Sequence, residues 1–96
     1  MIKNFRNRAS LEIAQGIDSS ESRRLLPINL HKAARIKLAA LNRAKNLSDL
    51  FVPGWRLEKL RGDRSGQHNI RINKQFRVCF VWVKEGPFDV EIVDYH

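Results

Sequence analysis

Residues 76–83 read Phe-Arg-Val-Cys-Phe-Val-Trp-Val, eight residues with a single charge. Side chains alternate across a strand, so Phe76, Val78, Phe80 and Trp82 share one face while Arg77, Cys79 and Val81 share the other. The first set is a candidate core. A chain that contains this strand needs a sheet, and the sheet needs something apolar to cover that face.

The surrounding residues supply both. His68–Asn73 is a second strand-like run, separated from Phe76 by little more than Lys74-Gln75, which suggests a hairpin. Its His68, Ile70 and Ile72 share one face, and Gln67, Asn69, Arg71 and Asn73 the opposite one. Trp55–Leu60 precedes it across the loop Arg61-Gly62-Asp63-Arg64-Ser65-Gly66. Gly86-Pro87 marks a break before Phe88–Tyr95. Upstream, Leu30, Ala34, Leu38 and Leu41 recur at helical spacing, widened by Ala33, Ala40 and Ala44. That predicts a helix from Pro27, which suits a first turn, to about Lys45.

Ala9–Gln15 reads as a shorter helix ended by Gly16, Ile17–Arg24 as a polar connection, and Ile2–Phe5 as a short strand. The expected fold is α+β, with two N-terminal helices packed on one face of a mainly antiparallel sheet of about four to five strands. Ninety-six residues suggest one domain spanning 1–96.

Charge is the next constraint. Eighteen Lys and Arg against ten Asp and Glu give a net charge of +8, a potential that attracts polyanions, nucleic acid above all. Between Arg56 and Arg77 there are seven Lys or Arg and two acids, Glu58 and Asp63. The sheet side bearing Asn69, Arg71 and Arg77, bordered by the loop with Arg61 and Arg64, is therefore a candidate phosphate-binding surface, with Lys59 beside it. Cys79 has no CxxC partner and reads as a buried, inert thiol. No apolar stretch approaches the roughly 18 residues needed to span a bilayer. MIKNFRNRAS lacks the apolar core of a signal peptide, so a cytoplasmic location is expected.

Of the three histidines, His31 reads as a surface or capping residue at a helix start. His68 divides between a half-buried imidazole and a functional one. His96 stands with Asp94 and Tyr95 at the end of a strand-like run, as a polar tail or as a catalytic cluster. No pair has zinc-ligand spacing, and no P-loop or nucleophile elbow occurs; neither a metal nor another cofactor is expected.

The strand order, the segment RLEKLRGDRSGQHNIRINKQFRVCFVW and the closing VEIVDYH together resemble the HigB killer proteins, toxins of bacterial toxin–antitoxin systems within the RelE/ParE superfamily. The L-x-x-L-[KR]-G-[DN]-R block (Leu57 to Arg64), Phe76-Arg77 and the final Asp-Tyr-His carry the resemblance, which covers essentially the whole chain. It implies a RelE-like fold and a ribosome-dependent, metal-free endoribonuclease (an mRNA interferase) that cuts messenger RNA in the decoding site and arrests growth. It also implies a HigA-like helix-turn-helix antitoxin as partner, with operator DNA contacted only through that antitoxin and no membrane involved. By the same resemblance the catalytic cluster falls on Asp94, Tyr95 and His96. Arg61 stands where relatives often have lysine, and Arg77 matches an arginine facing the scissile phosphate. Some HigB proteins have a histidine within His-Pro-Leu-Lys-Gly where this chain has Glu58, which makes Glu58 a candidate for proton handling.

Two other readings stay open. ParE proteins share the architecture and inhibit DNA gyrase, and a basic sheet also suits a non-catalytic RNA-binding module.

Overall fold

The computed structural model describes residues 1–95; His96 lies outside the described residues. Three helices precede four strands: α1 (Arg8–Ala14), α2 (Ser20–Leu25), α3 (His31–Arg43), then β1 (Glu58–Lys59), β2 (Gln67–Arg71), β3 (Phe76–Val83) and β4 (Gly86–Asp94). The strands form an antiparallel meander in the order β1-β2-β3-β4. The α+β expectation holds, and β3 occupies the expected residues.

The core lies between the helices and one face of the sheet. Phe76, Val78 and Phe80 meet Ile70 and Ile72 of the preceding hairpin arm, Val90 and Ile92 of β4, and Ile13, Leu26, Leu38 and Leu41 of the helical layer. Trp82 packs at its margin. Ala34, Leu38 and Leu41 of the predicted stripe are buried. Full burial of side chains of this size stabilises by about 1.5–3 kcal/mol each, which makes this face the main source of stability.

Local chemistry explains the turns. Asn7 caps α1 by accepting from Ser10 N at 2.9 Å, and Gly16 leaves the helix with φ +75°, as expected of a left-handed C-cap. The Asn73 side chain accepts from the backbone N–H groups of Gln75 and Phe76 at 2.9 and 2.8 Å, an Asx turn that sets the β2–β3 register. Ser10 Oγ accepts from Ile92 N at 2.9 Å and ties α1 to β4.

Several expectations need correction. Ile17–Arg24 is not merely a connection: α2 begins at Ser20, because Ser19 and Ser22 form a reciprocal capping box. Pro27 does not enter the long helix; it precedes a 3-10 turn, Ile28–Leu30, that leads into α3. His31 is 3% exposed rather than at the surface, and its Nε2 hydrogen-bonds the Leu26 carbonyl at 2.8 Å. Of Trp55–Leu60 only Glu58 and Lys59 form a strand, although the Trp55 carbonyl accepts from Arg71 N at 2.7 Å and Leu60 N donates to the Gln67 carbonyl at 2.8 Å. Arg56, with φ +50°, turns the backbone out of extended form between Trp55 and Glu58.

Ile2–Phe5 makes a single parallel bridge, Phe5 to Val90, rather than a strand. Asn4 grips Asp89 instead, accepting from its N–H at 2.9 Å and donating to its carboxylate at 3.2 Å. Asp89 has φ +52°. It absorbs a bulge where β4 advances from Phe88 to Glu91 while β3 moves only between Val81 and Cys79. Gly86-Pro87 does not break the sheet, since both residues pair with β3, opposite Val83 and Trp82. Gly86, at φ +123°, is required there because a Cβ would stand 2.6 Å from the Met1 carbonyl oxygen.

Candidate active site on the far face of the sheet

The face turned away from the helices is built from two rows across the strands. Glu58, Asn69, Cys79 and Glu91 stand opposite one another in the first; Arg71, Arg77 and Val93 form the second. Alternation thus brings Asn69, Arg71 and Arg77 together as expected. The centre of this face is closed, however, since Asn69 and Cys79 are fully buried and Arg77 is 7% exposed. Asn69 cannot reach a phosphate unless the side chains above it move. Both of its amide atoms lack a hydrogen-bond partner among the described residues. Burial pushes the Cys79 thiol up to about 11, so it stays protonated and unreactive at neutral pH.

Arg77 is committed to the protein itself. Its Nη1 donates to the carbonyl oxygens of Asn73 and Lys74, the latter at 3.0 Å, which caps the β2–β3 turn. Its guanidinium lies 5.4 Å from the centre of the Tyr95 ring, a cation–π contact. Arg71, its cross-strand neighbour, is held below the ordinary arginine range by burial first, then by the charges of Arg77 and Arg56; Glu58 opposes the shift.

Tyr95 follows β4, and its N–H is fixed by the Gln75 carbonyl at 2.6 Å. Asp94 pairs across from Phe76, one position out of phase with Tyr95, and accepts from Gln75 Nε2 at 3.0 Å. A shallow cavity of about 470 Å³ at this end of the sheet is lined by Arg64, Val93, Asp94 and Tyr95. Arg64 reaches it from the 3-10 turn Gly62–Arg64. Its Nη1 donates to Glu91 Oε1 at 2.8 Å and to Gln67 Oε1 at 3.0 Å. The Glu91 bond raises the Arg64 pKa above the ordinary arginine value.

The fold therefore joins four of the expected site residues, Arg64, Arg77, Asp94 and Tyr95. Glu58 stands apart. Its strand is three strand spacings from β4, roughly 14 Å across the sheet alone. Lys59 and Arg61 are exposed at that same distant edge. The expected His96 lies outside the described residues. Sequence reasoning missed Glu91, Gln67 and Gln75; the only signal available was the alternation of Glu91 with Val90 and Ile92, which marks its face but not its partner. Among the described residues no three His, Cys, Asp or Glu side chains converge to hold a metal ion, and no helix is long and apolar enough to cross a membrane.

Comparison with known proteins agrees with this architecture. The solved YoeB–YefM complex from Staphylococcus aureus contains a similar chain, with a TM-score of 0.60 at 16% identity, covering all of this chain and 95% of that one. That likeness concerns the fold alone. Toxin HigB-1 of Vibrio cholerae serotype O1 is 39% identical over 72 residues, 74% of this chain and 76% of that protein. Endoribonuclease HigB of Proteus vulgaris is 25% identical over 97 aligned positions spanning both chains entirely. A family model described as the RelE-like toxin of the type II toxin–antitoxin system HigB matches residues 4–96. The chain belongs to the HigB-like toxins of type II toxin–antitoxin systems.

Proposed function

We propose that residues 1–96 act as one endoribonuclease domain in the cytoplasm, cutting messenger RNA in the ribosomal decoding site without a metal. A HigA-like helix-turn-helix antitoxin holds it inactive. The observation that carries this reading is the grouping of Tyr95, braced by Arg77, with Asp94 and Arg64 around one cavity in a chain of this family. The name endoribonuclease borne by the Proteus vulgaris relative adds support.

Cleavage of this kind uses the substrate's own 2′-hydroxyl. Its oxygen attacks the adjacent phosphorus and the bond to the 5′-oxygen breaks, leaving a 2′,3′-cyclic phosphate and a free 5′-hydroxyl. One group must take the 2′ proton and another must supply a proton to the 5′-oxygen, each contributing roughly 10²–10⁴-fold. Asp94 and His96 fill these tasks. Tyr95 offers its exposed ring to a base, and Arg64 meets the phosphoryl oxygens, where positive charge has most effect on the transition state. Arg77 acts through Tyr95. Lys59 and Arg61, outside the cavity, hold the RNA backbone on either side of the cut; Arg71 adds its charge to the same surface.

Mapping transcript 5′ ends after induction tests the proposal. New ends inside translated reading frames are expected with wild type, and none with Asp94→Ala or His96→Ala, both of which retain antitoxin binding. Full toxicity in a folded Asp94→Ala variant would refute the assignment. DNA damage without new ends would point to gyrase instead.

A further inference from the structure

We propose that Glu91 is a positioning residue that acts through Arg64, holding its guanidinium in the cavity wall beside Asp94 and Tyr95 for the phosphoryl oxygens of RNA. The inference rests on the nuclease reading and deepens it. Arg64 lies in a loop with two glycines, and a long side chain there samples many rotamers unless something restrains it. Glu91 supplies that restraint. Its side chain is 12% exposed and that of Arg64 33%, so the pair is shielded on one side, unlike an ordinary surface ion pair. Gln67 accepts from the same Nη1 nitrogen.

Both bonds use Nη1 alone, and neither consumes Nε or the second amino group. That remaining edge suits two anionic oxygens, a geometry a guanidinium offers and an ammonium does not. The link spans 27 positions of sequence and ends on β4, the strand that carries Val93 and Asp94 and leads directly to Tyr95. Moving β4 therefore moves cation and catalytic end together. Arg6 also approaches Glu91 Oε1, at 3.9 Å, but its side chain is 56% exposed and the contact is longer.

The test is single-turnover cleavage of message on programmed ribosomes, with toxin in excess. Arg64→Ala is expected to lower the saturating rate roughly 100-fold, the scale for losing one transition-state donor. Glu91→Ala should lower it about tenfold with a half-saturating concentration changed less than about threefold, and should cost less than about twofold in the Arg64→Ala background, as expected when one residue works through the other. Arg6→Ala should stay within about twofold of wild type. A Glu91→Ala variant as fast as wild type, or one that costs the same factor in both backgrounds, would overturn the proposal. If Glu91→Ala does not fold, Glu91→Met, similar in length and without an acceptor, is read by the same two comparisons.

Wild-type protein that leaves the message intact would bring down the nuclease reading but not the pairing. The pairing is then read from the anisotropy of labelled single-stranded RNA, where additive losses from Arg64→Ala and Glu91→Ala would overturn it.

Discussion

Ile70 and Asn69 are neighbours on β2, both fully buried, and they belong to opposite faces of one sheet. Ile70 meets Val78 and, through it, Ile92 beneath the helices; Asn69 meets Cys79 and, through it, Glu91 on the other side. Burial is equal, but satisfaction is not. On the far face both Asn69 amide atoms, Arg71 Nε and Arg77 Nε lack partners among the described residues, whereas the helix side contributes only His68 Nδ1. Buried polar groups in native proteins are nearly always hydrogen-bonded, so a cluster of exceptions marks a surface kept for something other than stability. One face is built to hold the fold; the other carries the residues proposed to act on RNA.

Substitutions on the two faces should separate stability from activity. Phe80→Ala has the largest expected effect, about 3–5 kcal/mol of destabilisation by denaturant unfolding, since it empties the centre of the core. Tyr95→Ala comes next. It should lower message cleavage roughly 10²-fold, comparable to removing one acid, base or orienting group, while unfolding shifts by less than about 0.5 kcal/mol because the residue is 41% exposed. Equal stability losses in these two variants would erase the distinction between the faces.

Asn69 gives a finer comparison. Ile70→Ala should cost about 2–5 kcal/mol. Asn69→Ala should cost less than about 1 kcal/mol, because the packing it loses is offset by removing an amide with no partner among the described residues. A cost equal to that of Ile70→Ala would show that the amide is satisfied after all.

The smallest effect concerns pH. His68 stacks on Phe80 at 6.1 Å and is held below its usual 6.5 by burial, then by Lys59. The unfolded chain therefore takes up this proton first as pH falls. Stability from this group is complete above about 6.5 and is lost as acidification proceeds toward the lower folded-state value. Urea midpoints measured from pH 7 to pH 5 should fall further for wild type than for His68→Gln; parallel curves would remove His68 from the account.

Much of this is legible in the sequence. The alternation of Phe76–Val83 placed β3 and sorted Arg77 from Phe76 and Val78; the spacing of Ala34, Leu38 and Leu41 placed α3. Both are periodic signals contained within one segment. The serines at 19 and 22 resembled a linker because their low helix propensity conceals their value as caps. Pro87 resembled a breaker because nothing local shows that its carbonyl would accept from Lys3 N at 2.8 Å.

The site divides in the same way. Residue types and their faces were determined by the chain itself: a basic segment from 56 to 77, Arg77 opposite the core residues, and Asp94-Tyr95 at the end of a strand. Which of those residues would meet was decided by the register of β4 against β3 and by the path of the 61–66 loop. Those placed Arg64 on Glu91, braced Tyr95 with Arg77 and left Glu58 at the far edge. Side-chain alternation is a property of one strand, but a contact across 27 residues depends on how every intervening turn closes, and no single segment contains that information.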